Sequence, residues 1–370
     1  MGKKSSLKWY NKLWAYPLVL VNALVCIVFI LCAFSHYVPA ARFPVISLAG
    51  LAFPFLLAAV VAFLLFWLFA HKRFCWLSLL TLLLCSLEIF TMCPVHLRSA
   101  KAPADGIKVL SYNVCSGSVT SSNANADNAV LQYIGKVDAD IVCLQEVNNE
   151  SFRAFEKRDG WMDRYPYRSY DLSTVSSING HLVLCLSKYP ILSWEVIHFK
   201  DSGNGVQKYE LLVGGDTLTL FNCHLQSFGL NDDDIGAYND ILVNPKENVA
   251  TNRTKSLVKK LRDAGVKRAQ QADIMSDKIR SCRTPYVIVC GDFNDTPISY
   301  THHTLTRTLH DAHTRSGNGF DFSYHHHHMY FRIDHILASR NLTPYDCQVD
   351  RSIKASDHYP IYCTFAKDDK

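Results

Sequence analysis

Three long runs near the amino terminus, Tyr16 to Tyr37, Phe43 to Ala70 and Phe74 to Met92, are apolar on every helical face, and only Glu88 is charged within them. A helix crossing a bilayer needs about 20 predominantly apolar residues, whereas the helices of soluble domains carry a polar face. The runs therefore predict three transmembrane helices, at about residues 16–37, 43–70 and 74–92, rather than a buried hairpin. A cleaved signal peptide would explain the first run but not the two behind it. Pro94 to Gly106, with its prolines and small residues, reads as a linker. Beyond it the pattern changes to short β-rich runs: Ile107–Asn113, Asp140–Gln145, Leu182–Leu186, Leu218–His224, Tyr286–Gly291, Arg332–Leu337 and Tyr359–Phe365. Helical patterns lie between several of them, at Ala126–Lys136 and from Arg253 to Ile279. This order predicts a mixed α/β domain over residues 107–366 with one or two sheets, after a membrane domain over 1–93 and a linker over 94–106. No internal repeat is visible.

Charge divides the chain in the same place. Residues 1–101 hold nine Lys or Arg and one acid, leaving 29 basic and 32 acidic residues for the rest. The formal +5 of the whole chain is thus no nucleic-acid footprint, because the larger part is mildly acidic. Lys and Arg accumulate on the cytoplasmic side of short membrane loops. Lys3, Lys4, Lys8 and Lys12 precede the first run, and His71-Lys72-Arg73 follows the second, against Arg42 alone in the loop between. The pattern predicts an integral protein of the inner or plasma membrane whose large domain is extracytoplasmic, although Arg98, Lys101 and Lys108 after the third run weaken the asymmetry. Of thirteen cysteines, most fall in the apolar runs or in β-rich runs, with no CxxC pair or zinc-type spacing, so mostly free thiols are expected.

The chemistry-bearing residues sit where the β-rich runs end: Ser111-Tyr112-Asn113, Leu144-Gln145-Glu146, Asn222-Cys223-His224, Gly291-Asp292-Phe293-Asn294, Ile333-Asp334-His335 and Ser356-Asp357-His358. Strand ends are where α/β enzymes assemble their sites. This set, in this order, resembles the endonuclease/exonuclease/phosphatase family, with GDFND at Gly291–Asp295 and SDHYPI at Ser356–Ile361 as its most specific motifs. The resemblance spans Ile107 to about Phe365 and points to a deoxyribonuclease- or sphingomyelinase-like member of membrane-anchored bacterial type. It implies a four-layered α/β sandwich, two central β-sheets flanked by helices, here preceded by three transmembrane helices, with the site at one end of the sheets.

A phosphodiester repels nucleophiles by its own charge, so its hydrolysis asks for a hard cation, a base for water and an acid for the leaving oxygen. Magnesium or manganese (Mg2+ or Mn2+) suits carboxylate and amide oxygens. Glu146 with Asn113 is the expected metal pair, with Asp357 joining through water. His358 is the expected general base, oriented by Asp334. Asp292 would orient or deprotonate the water, Asn294 would donate to the phosphoryl group, and His224 would stabilise developing charge or protonate the leaving oxygen.

Other features carry less. His325–His328 is a solvated loop or a rim element, Gly214-Gly215-Asp216 a hairpin turn rather than a phosphate loop, and the basic run from Arg253 to Arg268 more often a solvated helix face than a nucleic-acid groove, with Asp232–Asp234 just upstream to repel a polyanion. Asn222-Cys223-His224 differs from the Asn-x-Tyr of abasic-site endonucleases, and no Trp-Cys-Asp-Arg run of the inositol polyphosphate phosphatases is present. The expected partners are the lipid bilayer and a phosphodiester substrate, whether lipid head group, small ester or nucleic acid; no protein partner is inferable. The readings left open are a phosphoesterase acting on lipid or small esters, an extracytoplasmic nuclease acting on DNA or RNA, and a catalytically degenerate tethered binding protein. The last would be expected to have lost one of Glu146, Asp292, His224 or His358, and all are present.

Overall fold

The computed structural model describes residues 14–97, 100–115, 129–148, 160–169, 181–200, 202–243, 252–326 and 329–368. Lys3, Lys4, Lys8, Lys12, Arg98, residues 126–128 of the expected first helix, His327 and His328 lie outside the described residues.

Two six-stranded mixed sheets form the large domain. The first contains β1 (Ile107–Asn113), β2 (Ile141–Asn148), β3 (Tyr167–Ser169), β4 (His181–Ser187), β11 (Leu342–Val349) and β12 (Ile361–Lys367), in the order β11-β12-β1-β2-β4-β3. The second contains β5 (Ile191–His198), β6 (Gly205–Val213), β7 (Asp216–His224), β8 (Tyr286–Asp292), β9 (Leu309–Asp311) and β10 (Asp334–Ser339), in the order β5-β6-β7-β8-β10-β9. Each sheet has one parallel pair at its centre, β1 with β2 and β7 with β8. The registers Asn113↔Gln145 and His224↔Asp292 close those pairs at their carboxyl ends.

The period-two alternation of strands decides which side chains meet. Val109, Ile141, Cys143, Leu218, Leu220, Ile288, Cys290 and Ile336 point between the sheets and form one buried core. The alternate residues Leu110, Tyr112, Val142 and Leu144 pack outward under α5 (Ala129–Val137) through Val130, Leu131 and Ile134. On the other outer face Phe221, Cys223, Val287 and Val289 meet Met275 and Ile279 of α8 (Asn252–Arg280) and Leu305 of α9 (Tyr300–Thr306). Helix, sheet, sheet and helix thus stack as the sandwich anticipated from sequence. All thirteen cysteines are free, most of them packed as small hydrophobes. Gly214 and Gly215, both at positive φ, make the two-residue β6–β7 turn.

At the amino terminus, α1 (Ala15–Ala33, continued by a 3-10 turn to Tyr37) and α2 (Ala49–Ala70) are long and apolar enough to cross a membrane. The third expected span is not one straight helix. A 3-10 turn (Lys72–Phe74) runs into α3 (Cys75–Leu84), and this piece and α4 (Ser86–Met92) are bent by 64° at Cys85, so among the described residues there are two such helices, or three if the bent pair counts as one span. No Pro or Gly causes the break; instead α4 is drawn against the large domain, where it packs on α10 (Ala312–Ser316) and the buried Arg332 donates from Nη2 to Thr91 O at 2.7 Å.

The contact between the two parts is close. Ile298 of the large domain joins the buried cluster of Cys26, Phe29, Phe53, Leu57 and Val60. A Cβ on Gly50 would stand 2.2 Å from Ile298 O, so α2 begins in backbone contact with the loop beyond Asp295. The rings of His36 and Tyr37 lie 4.8 and 4.7 Å from that of His303. The end of α1, the start of α2 and the end of α4 therefore share one end, against the large domain, while Trp14 and His71 meet at the other, 5.6 Å apart.

Candidate active site

Strand parity carries Asn113, Gln145, Asn222, His224, Asp292 and Asp334 inward, because each lies an even number of residues from a core position on its own strand. At the end of the sandwich this inward face turns from apolar to polar. Gln145 Nε2 donates to Asn222 Oδ1 at 2.6 Å, and Asn222 Nδ2 donates to Leu144 O and Leu184 O, so a buried amide pair ties the two sheets just beneath the site. The expectations above placed neither residue in the site. The signal was there, since both share the inward parity of the motif residues beside them.

Glu146 has the opposite parity and would face outward in a regular strand. The β2–β4 register shifts between Leu144 and Val147, and Glu146 takes a left-handed φ of 56°, which brings its side chain in. Asn113 Nδ2 then donates to both Glu146 Oε1 and Asp292 Oδ2, each at 3.0 Å, joining a carboxylate from each sheet. The Asn113 oxygen accepts from Cys115 N, so as it stands the amide offers Glu146 its nitrogen side.

The GDFND turn places Asp292 with similar economy of space. Gly291 has φ 131°, and a Cβ there would lie 2.0 Å from Cys223 O, so only glycine permits β8 to run this close to β7. Asn294, at φ 52°, donates its backbone N–H to Asp292 Oδ1 at 2.7 Å and its Nδ2 to Leu225 O at 3.1 Å.

Opposite them, His358 Nδ1 and Asp334 Oδ2 are 2.7 Å apart, while Nε2 lies 3.8 Å from Asp292 Oδ2. The position is built from loop contacts: Ser356 Oγ donates to Asn113 O, and the backbone N–H groups of Ile333 and Asp334 donate to Ser323 Oγ. His224 Nε2 is 3.5 Å from Glu146 Oε1 and 3.9 Å from Asp292 Oδ2. Burial, then the charge of Asp334, pushes the Asp292 carboxyl above the usual range. For His358, burial alone would lower the ring pKa, but Asp334 and Asp292 more than offset it and raise it to about 10.

Glu146, Asp292, Asn294, Asp357 and His358 all line one cavity of about 750 Å³, while His224, Asn113 and Asp334 support them from behind. Tyr324 stands beside them with its ring 5.1 Å from that of His358, a neighbour that no sequence motif announced. His326 also reaches this cavity and His325 stacks on Tyr359 at 3.9 Å, so the described half of the histidine run belongs to the rim rather than to free solvent. Nor is the basic run wholly a solvated face: Arg268 is 1% exposed, held by Asp295 and Gln226 O.

The donors suit a hard divalent cation. One ligand atom each of Glu146, Asp292 and His224 lie within 4.8 Å of one another, as do ligand atoms of Asp292, Asp334 and His358. The thiol of Cys115 is pushed up to about 12 by burial and then by Asp357 and Glu146, so it is protonated at neutral pH.

Comparison with known proteins agrees with this architecture. Residues 110–358 match the sequence model of the Endonuclease/Exonuclease/phosphatase family, and residues 13–92 match that of a domain of unknown function (DUF8431). No curated protein sequence matches the chain. Among solved structures, truncated TDP2 of Caenorhabditis elegans superposes with a TM-score of 0.50 at 20% identity, covering 70% of this chain and 97% of that one. TDP2 of D. rerio in complex with a single-strand DNA product gives 0.51 at 18% identity, over 71% and 99% of the two chains. At these identities the likeness is one of fold.

Proposed function

The chain belongs to the endonuclease/exonuclease/phosphatase family, and from that premise we propose that it is a membrane-anchored, divalent-metal-dependent phosphodiesterase whose catalytic domain is extracytoplasmic. The observation that carries the reading is the bridge from Asn113 Nδ2 to Glu146 and Asp292, which assembles one carboxylate from each sheet opposite His358. Glu146, with Asn113 beside it and Asp357 through water, would hold magnesium or manganese, whose charge lowers the electrostatic barrier at the phosphoryl oxygens.

The protein's own residues handle the protons. Asp334 fixes the ring of His358, leaving Nε2 to face Asp292 Oδ2 across 3.8 Å. The proton of the attacking water belongs to this Asp292–His358 pair, not to one member alone. His224, beside Glu146, stabilises the developing charge or protonates the leaving oxygen, and Asn294 directs its remaining amide hydrogen to the phosphoryl group.

The D. rerio relative was solved with a DNA product, which keeps nuclease action as the second reading. Against it, no Lys or Arg is among the described residues lining this cavity, and a strand of phosphates asks for cations to replace its counterions. The full chain in detergent should be assayed against bis-para-nitrophenyl phosphate, sphingomyelin, plasmid DNA and RNA. Hydrolysis of at least one of them, lost in Asp292→Asn, supports the phosphodiesterase reading. Inertness towards all four, or undiminished activity in Asp292→Asn, removes it.

A further inference from the structure

The cavity over Glu146 and His358 has two unlike halves. One is the polar end of the sandwich. The other is apolar and partly made by the amino-terminal region: Leu48, Leu51, Ala52 and Phe55 face Leu257 and Leu261 of α8 across the space. The spacing 48, 51, 52, 55 is a single stripe on a helix. It is distinct from the stripe of Phe53, Leu57 and Val60, which packs against α1. Phe55 is 67% exposed, so this wall runs without interruption from the catalytic residues onto the outer surface of α2. Phe228, Met329 and Phe331 extend the apolar lining on the large-domain side.

An apolar wall shared with a helix long enough to cross a membrane, beside a phosphoester site with no Lys or Arg among its described lining residues, selects for an amphiphile. We infer that the substrate is a membrane phospholipid or sphingolipid, whose phosphodiester enters between Glu146 and His358 while an acyl or alkyl chain lies along the stripe of Leu48, Leu51, Ala52 and Phe55. The inference rests on the phosphodiesterase reading and adds to it the route, sideways from the bilayer past Phe55. Hydrolysis consumes one water. Its oxygen bonds to phosphorus, the bond from phosphorus to one ester oxygen breaks, and that oxygen takes a proton, leaving a phosphomonoester and an alcohol.

The test uses the full chain reconstituted in vesicles of phosphatidylethanolamine, phosphatidylglycerol and sphingomyelin, with bis-para-nitrophenyl phosphate as the soluble comparison. The chain should cleave a vesicle lipid, and Leu51→Asp and Phe55→Asp should each lower the ratio of lipid rate to soluble-diester rate at least tenfold, a ratio that general misfolding does not move in one direction. In the unaltered chain, phosphatidylethanolamine carrying a diazirine on its acyl chain should label the peptide spanning 48–55. Cleavage of the soluble diester with all three lipids left intact, or labelling that misses 48–55, overturns the inference and leaves the phosphodiesterase reading standing. Inertness towards soluble diester and lipid alike ends that reading and this inference with it.

Discussion

At the scale of single residues the site is a set of pairs, and the tightest is His358 with Asp334. With Nδ1 held at 2.7 Å by a carboxylate that is 1% exposed, the ring has one orientation. Removing either member should therefore disable the same step. Turnover of the full chain on its best diester should fall about 10²- to 10⁴-fold in His358→Ala and by a similar factor in Asp334→Asn, with the double variant little worse than either. Independent, multiplicative losses in variants that melt normally would show that the two do not share a step. The residues that the structure brings together here were legible in the sequence as polar residues ending β-rich runs, in an order that resembles the family. What was not legible was how Glu146 gets in. Its parity points outward, and only the β2–β4 bulge with a left-handed backbone reverses it, a feature that depends on pairing with a strand 35 or so residues away. The Gln145–Asn222 tie was signalled only by the inward parity that both residues share with their motif neighbours, because the two lie 77 residues apart in the chain.

Among the elements, those with a strong pattern came through the sequence and those shaped by neighbours did not. β1 and α8 fall within a residue of their expected bounds. β5 was missed although Leu192-Ser193-Trp194-Glu195-Val196 alternates; it is an edge strand in which Leu192 to Glu195 are all exposed, and in β11 Pro344 and a register shift between Tyr345 and Gln348 interrupt the run. The Asp232–Asp234 run starts a helix, Asp232–Val243, whose end is closed by reciprocal bonds between Asn231 and Asp234. The break at Cys85 likewise comes from tertiary contact rather than from Pro or Gly. The joint between the amino-terminal helices and α9 yields a pH prediction. Burial first, then the nearby His36, Arg307 and His302, lower the pKa of His303 to about 4. Between pH 6.5 and 4 the unfolded chain binds a proton that the folded chain refuses, so His303 subtracts stability as the pH falls through that window and subtracts none above it. His303→Gln should lose less melting temperature between pH 7.5 and 5 than the unaltered chain does in the same detergent. An equal or larger loss in the variant would mean that the ring is not held neutral at this joint.

On the scale of the whole molecule, the end of α1, the start of α2 and the end of α4 all sit at the large domain, with the Lys72–Arg73 turn at the far end beside His71. This arrangement suits a domain on one side of a bilayer and a basic turn on the other. A reporter active only outside the cytoplasm should therefore work when fused after Lys370 and fail when inserted between Lys72 and Arg73; the reverse pattern would place the site in the cytoplasm. The mild acidity of the large domain and the apolar wall of its cavity then belong to one account, in which chemistry takes place at the membrane face rather than along a polyanion. The claim on which everything else depends is that Glu146 serves a divalent cation in phosphodiester hydrolysis. The direct test is the rate of the full chain on bis-para-nitrophenyl phosphate after exhaustive chelation and through a magnesium titration, for the unaltered protein and Glu146→Gln. The account predicts no activity without metal, recovery on adding magnesium, and a half-saturating concentration at least tenfold higher in Glu146→Gln at an unchanged melting temperature. Full activity after chelation, or identical magnesium curves for the two proteins, would contradict it.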